Sequence, residues 1–134
     1  RPGRHFMEPH DAAVRVLAQG MIDCGLLAGS LDGVIESGAY RRFYMHRTGH
    51  WLGLDVHDAG DYGAEGRWKP LAPGMVLTVE PGLYVRPGED VPEAYWNIGI
   101  RIEDDVVVAP TGCEVLTAQA PKLVAEIEAL MRGA

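Results

Sequence analysis

The chain has 134 residues and 14.6 kDa, with 47% hydrophobic and 23% charged residues, which suits one packed globular domain and excludes a disordered tail. Its 19 acidic residues outnumber 12 basic ones for a formal net charge of −7, and apart from Arg41-Arg42 the cations are scattered, which argues against binding nucleic acid or an anionic membrane. No apolar run approaches the roughly 20 residues of a membrane span, no basic-then-apolar leader opens the chain, and Cys24 and Cys113 form no CxxC pair, so a reducing, cytoplasmic setting is expected. The opening Arg1-Pro2-Gly3 is turn-like, and the chain reads as a piece of something longer.

Glu8-Pro9-His10-Asp11 introduces a helix. Pro9 suits a first-turn position, and Val14, Leu17, Met21, Cys24 and Ala28 recur at helical steps as a buried stripe. Gly25 and Gly29 mark its end, and a second, weaker helix is expected over Leu31 to Tyr40. From Phe43 to Tyr62 aromatic, histidine and glycine residues dominate without a persistent period, as in strands joined by functional loops. Pro73-Gly74 and Pro81-Gly82 bracket Met75 to Glu80, a strand. Ile98 to Glu103 forms another, and Val106 to Val108 follows in a hairpin or a bent continuation, with Cys113 in a turn beyond it. Pro121 to Met131 closes the chain as a capping helix with Leu123, Ile127, Leu130 and Met131 on one side. The class is α+β.

Strand alternation singles out two carboxylates. Val76, Thr78 and Glu80 share one face of the first strand; Arg101 and Glu103 share one face of the second. A charged group in an apolar strand faces solvent, pairs with a cation or binds a metal. A solvated sheet face with Arg101 pairing either carboxylate satisfies the first two options. The histidines add independent weight: His46, His50 and His57 fall within twelve residues, beside Gly49 and Gly53, and imidazole ligates transition metals and works as an acid or donor near neutral pH. The spacing is not HExxH, and no GxGxxG, P-loop or GxSxG pattern occurs. Cys24 fits a core position, and Trp51, Trp68 and Trp96 fit burial or loop packing.

The segments His46 to Asp58, Pro73 to Gly82 and Gly99 to Asp104, in this order and spacing, resemble the proline-specific aminopeptidases (Xaa-Pro aminopeptidase, aminopeptidase P) of the pita-bread metallopeptidase family. His50-Trp51-Leu52-Gly53-Leu54-Asp55-Val56-His57-Asp58 points to the aminopeptidase P branch. The resemblance implies a hydrolase using two divalent metal ions, usually Mn²⁺, whose bridging hydroxide attacks the scissile carbonyl. It further implies that His50, Glu80 and Glu103 ligate metal, that Glu80 also shuttles the proton, that His46 and His57 hold the substrate and stabilise the oxyanion, and that Arg101 orients the acidic ligands.

The family's site needs five ligands, and two are aspartates on a strand preceding the first helix seen here. Asp55, Asp58 and Asp61 do not occupy those motif positions. Residues 1–134 therefore resemble the C-terminal half of the catalytic domain, without its N-terminal half or N-terminal domain. Such a half should leave a sheet edge and apolar surface bare, self-associate into a homo-oligomer, and hydrolyse Xaa-Pro peptides weakly or not at all by itself. The alternatives are an Xaa-Pro dipeptidase (prolidase), which shares the ligands, and a non-catalytic pita-bread module binding peptides or proteins. A methionine aminopeptidase fits less well with the His50 to Asp58 segment.

Overall fold

The computed structural model describes residues 1–133. Helix α1 spans Glu8–Asp23 and buries Val14, Ala18 and Met21, with Leu17 half-buried. The stripe is thus shifted from the sequence expectation. Cys24 is exposed rather than core, because the helix stops at Asp23 and the chain reverses through Gly25 at φ +70°, where a side chain is strained. Leu26 is buried beyond the turn, and Ala28 stays exposed. Helix α2 covers Leu31–Ser37, capped by Ser30 Oγ accepting from the Gly33 amide. It ends short of Tyr40 at left-handed Gly38, and Tyr40 instead enters the core from a 3₁₀ turn over Ala39–Arg42. Phe43, Tyr44 and Val85 complete this first core around α1 and α2.

No regular strand is assigned between Phe43 and Tyr62, but Thr48 to Leu52 runs extended beside β3 (Val76–Val79). The Thr48 carbonyl accepts from the Glu80 amide at 2.6 Å, the His50 carbonyl from the Thr78 amide at 3.0 Å, and the Leu52 amide donates to the Val76 carbonyl at 3.2 Å. A short hairpin of β1 (Gly63–Ala64) and β2 (Arg67–Trp68) follows. β3 pairs antiparallel with β6 (Asp104–Ala109), which pairs with β7 (Gly112–Val115). Cys113 therefore lies in a strand, opposite Val108, rather than in a turn. The second core, Phe6, Trp51, Leu71, Leu77, Val106 and Val108, lies on this sheet.

A strand absent from the sequence reading, β4 (Gly82–Val85), pairs antiparallel with β5 (Ile98–Arg101). The β4–β5 ladder keeps the register of the β3–β6 ladder: Val79 faces Asp104 on one side of the break, and Gly82 faces Arg101 on the other. β5 and β6 are thus a bent continuation, not a hairpin. The break falls between the two cores and carries Glu80 on one strand and Glu103 on the other.

Helix α3, Val124–Arg132, follows the expected apolar pattern but buries no residue: Leu123, Ile127, Leu130 and Met131 are all exposed. It does not cap the domain within the described residues. Ile98, Ile100 and Ile102 on and beside β5 are also exposed. No helix among the described residues is long and apolar enough to cross a membrane.

Candidate metal centre

The bent ladder explains how carboxylates 23 positions apart in sequence come together. Carried across the break, its register sets Glu80 opposite Glu103, and the Ile102 amide donates to the Pro81 carbonyl at 3.3 Å within the gap. The extended segment beside β3 supplies the third group. There the backbones approach so closely that a Cβ on Gly49 would lie 2.1 Å from the Thr78 carbonyl oxygen, a distance only glycine permits. Ligand atoms of His50, Glu80 and Glu103 all lie within 4.8 Å of one another.

The chemistry of these donors fits a cation. The Trp51 carbonyl, 2.9 Å from His50 Nδ1, can only accept, so that nitrogen carries the proton. In the neutral ring the Nε2 lone pair then faces Glu80 Oε1 at 3.2 Å. Two acceptors face each other, a second carboxylate stands beside them, and a proton or a metal ion must lie between. His50 and Glu80 side chains are only 17% and 12% exposed, which raises the cost of leaving them unreconciled. The set of one imidazole and two carboxylates suits a fairly hard divalent ion.

Thr78, which the sequence reading passed over, locks two of the three donors. Its hydroxyl donates to Glu80 Oε1 at 3.2 Å and its oxygen accepts from the His50 amide at 3.1 Å. Thr78 is 2% exposed. The alternation that singled out Glu80 had already placed Thr78 on its face, so the signal was there. Arg101 Nη1 stands 3.6 Å from Glu80 Oε2, a half-exposed pair of modest worth. The ion pair foreseen for a solvated sheet face therefore exists, but the Glu80 side chain is mostly buried, with 12% exposed.

His46 and His57 flank the cluster. The His57 ring meets His50 edge-on at 4.4 Å between centroids. His46 Nδ1 donates to the Arg47 carbonyl at 2.8 Å, leaving Nε2 to accept from the Tyr84 hydroxyl at 2.9 Å. Tyr84 sits on β4, the unforeseen strand, and nothing in the sequence pointed to it. The rings of Tyr44 and Tyr84 both stand edge-on to His46. One open cleft is lined by His46, His50, His57, Glu80 and Arg101, among others, and exposed Glu103 brings a carboxylate oxygen to the His50–Glu80 cluster.

Below the cleft, buried Thr48 joins His10 and Tyr44. Its Oγ1 lies 3.0 Å from His10 Nδ1 and is hydrogen-bonded to the Tyr44 hydroxyl. Burial holds His10 below its ordinary pKa and raises that of Tyr44.

An imidazole gathered beside two carboxylates at the bend of an antiparallel ladder is a group that could hold a metal ion, and residues 1–110 match metallopeptidase family M24; the chain belongs to that family. It is 53% identical over 134 residues to the Xaa-Pro aminopeptidase of Escherichia coli, covering 100% of this chain and 30% of that protein. It is 50% identical over 130 residues to the Xaa-Pro aminopeptidase of Haemophilus influenzae, again 30% of the relative. The structure superposes on Pseudomonas aeruginosa aminopeptidase PepP with a TM-score of 0.94 at 56% identity, covering 98% of this chain and 30% of that one. On E. coli aminopeptidase P with the inhibitor Pro-Leu the TM-score is 0.92 at 53% identity, for 99% and 30%. The α+β architecture is thus that of the aminopeptidase P, or pita-bread, fold. The chain spans about 30% of the length of these relatives.

Proposed function

We propose that residues 1–134 form the C-terminal half of a catalytic domain that releases the N-terminal residue from peptides with proline in second position. The cluster of His50, Glu80 and Glu103, with two lone-pair acceptors 3.2 Å apart, is the observation that carries this reading. His50, Glu80 and Glu103 would hold two divalent ions, Mn²⁺ by the oxygen-rich donor set, together with two aspartates from a preceding segment. Bound ions supply Lewis-acid polarisation of the scissile carbonyl and make a water acidic enough to attack it.

The chain's own residues do the rest. Thr78 and Arg101 fix the two oxygens of Glu80, so that its carboxylate is aimed before substrate arrives. Glu80 takes the proton from the attacking water and delivers it to the proline nitrogen as the bond breaks. His46, held by the Arg47 carbonyl and Tyr84, and His57, packed on His50, hold the peptide and stabilise the oxygen that gains charge. Bare Ile98, Ile100 and Ile102 support coverage of this strand by further chain or by a second copy, as in a homo-oligomer. Two free, exposed thiols, Cys24 and Cys113, suit a cytoplasmic location.

Arginine release from Arg-Pro-Pro with added Mn²⁺ tests this, with the intact mass of the protein verified in the same sample. Longer forms carrying the aspartates should turn over, while the 134-residue chain alone should be weak or silent. Efficient turnover at the mass of 134 residues would overturn the half-site reading. Cleavage of Arg-Pro but not of Arg-Pro-Pro would make the protein a dipeptidase.

A further inference from the structure

A succession of ring contacts leads from α1 to β4 through His46. His10 meets Tyr44 at 5.6 Å between centroids, Tyr44 meets His46 edge-on at 5.1 Å, and His46 meets Tyr84 at 5.5 Å. The Arg47 carbonyl and the Tyr84 hydroxyl hold the two nitrogens of His46, and the Tyr44 ring packs on the imidazole between them. Tyr44 and Thr48 are 1% and 2% exposed, so the Tyr44 hydroxyl must find its partner inside the protein.

That partner is Thr48 Oγ1, which lies 3.0 Å from His10 Nδ1. The Tyr44 oxygen stands 3.5 Å from the same nitrogen, and no other partner for it occurs among the described residues. Only one placement of the hydrogens pairs every group. Tyr44 donates to Thr48, Thr48 donates to His10 Nδ1, and the neutral imidazole carries its proton on Nε2. With a proton on Nδ1 the bonds reverse: His10 donates to Thr48, Thr48 donates to Tyr44, and the Tyr44 hydrogen is buried without an acceptor. The surroundings favour the neutral ring. Burial weighs most, Arg47, His46 and Arg41 push the same way, and Asp11 opposes them, while burial also keeps the facing Tyr44 hydroxyl protonated. His10 Nε2 bonds to no described residue and is not buried, so the ring stays in proton exchange with water.

We infer that His10 and Thr48 are positioning residues for His46, acting through the Tyr44 hydroxyl. This rests on the aminopeptidase reading, in which His46 holds the peptide and stabilises the oxygen that gains charge. Neutral His10 completes the hydrogen-bond chain and locks the Tyr44 ring against His46. Protonated His10 breaks the chain at Tyr44, and the imidazole loses its support. Thr48 also reaches the Glu80 amide through its own carbonyl, a second route that a test has to separate from the first.

Cleavage of Val-Pro-Leu by the full-length, Mn²⁺-loaded protein makes that separation. Tyr44→Phe and Thr48→Val should each lower kcat/KM at pH 7.5 at least about threefold, and Thr48→Ser should restore most of the loss. In a His46→Ala background Tyr44→Phe should change kcat/KM by less than about twofold, because the residue it acts through is gone. Mn²⁺ affinity should stay within about twofold of the unaltered protein's in both single variants, since no metal ligand is displaced. His10→Gln keeps an acceptor for Thr48 but takes up no proton, so its kcat/KM relative to the unaltered protein should rise at least about threefold from pH 7.5 to pH 5. Undiminished turnover in Tyr44→Phe, or the same loss with and without His46, overturns the inference. So does an Mn²⁺ affinity that falls in step with kcat/KM, which would assign the network to the metal cluster, or an acid limb that His10→Gln leaves in place. Should Thr48→Val fail to fold, or His46→Ala be too slow to rank, Tyr44→Phe and the His10→Gln pH profile decide. Failure of the unaltered protein to cut Val-Pro-Leu removes the aminopeptidase reading itself, and this inference with it.

Discussion

Gly49→Ala is the sharpest test of how the candidate site is assembled. The added Cβ would stand 2.1 Å from the Thr78 carbonyl oxygen and 3.2 Å from its carbon, both backbone atoms that no rotamer change can move. Relief needs the His50 segment to withdraw from β3 by about 1 Å, since ordinary contacts begin near 3 Å. That withdrawal breaks the bonds on either side, now 2.6 Å from the Glu80 amide to the Thr48 carbonyl and 3.0 Å from the Thr78 amide to the His50 carbonyl. Two backbone hydrogen bonds at about 1 kcal/mol each, with about 1–3 kcal/mol of overpacking, predict a loss of about 3–5 kcal/mol. In a domain of this size that is a fall in Tm of about 10 °C or more. Thermal melts and urea titrations followed by circular dichroism read it directly, and Gly20→Ala, within α1 and with nothing within 4 Å of the new Cβ, is the control expected to stabilise by about 0.5–1 kcal/mol. A Gly49→Ala stability within about 0.5 kcal/mol of the parent would refute the close approach that aims His50 at Glu80.

Thr78→Val keeps the shape of the side chain but strands the His50 amide and frees Glu80 Oε1; it should cost about 1–3 kcal/mol and weaken Mn²⁺ binding about 10–100-fold, while Thr78→Ser should retain most of both, as measured by urea unfolding and metal titration. His10 carries a pH dependence whose sign follows from its lowered pKa: the unfolded chain takes up a proton near pH 6.5, and the folded one only at lower pH. Its contribution is therefore complete above about pH 6.5, declines as the pH falls toward the folded value, and levels off below it. Unfolding free energies measured between about pH 5 and 7.5 should show this slope, and His10→Gln should flatten it; an unchanged slope would refute the burial of a neutral imidazole at that position.

How far the sequence carried can be followed residue by residue. Helix α1 and strand β3 were legible because apolar periodicity and Pro-Gly brackets are local signals, and the sharing of a face by Thr78 and Glu80 is a local consequence of the pleat. Cys24 was misjudged because a period does not say where the helix stops; left-handed Gly25 turned the chain before position 24 could be covered. Strand β4 was missed because Gly82–Val85 is a four-residue piece pressed between Pro81 and Arg86-Pro87-Gly88, too short to show alternation. With it went Tyr84 and its grip on His46. The opposition of Glu80 and Glu103 is a matter of cross-strand register, which no single segment encodes. For α3 the pattern was right and the partner was not: Leu123, Ile127, Leu130 and Met131 share a side that no described residue covers.

The central claim is that His50, Glu80 and Glu103 form a metal centre, and calorimetric titration of Mn²⁺ into this chain addresses it most directly. Saturable binding of one ion, weakened about tenfold or more by Glu103→Gln and lost in His50→Ala, is the predicted result. Binding that neither substitution alters, or no saturable binding in the chain or in any longer form of the protein, would contradict it.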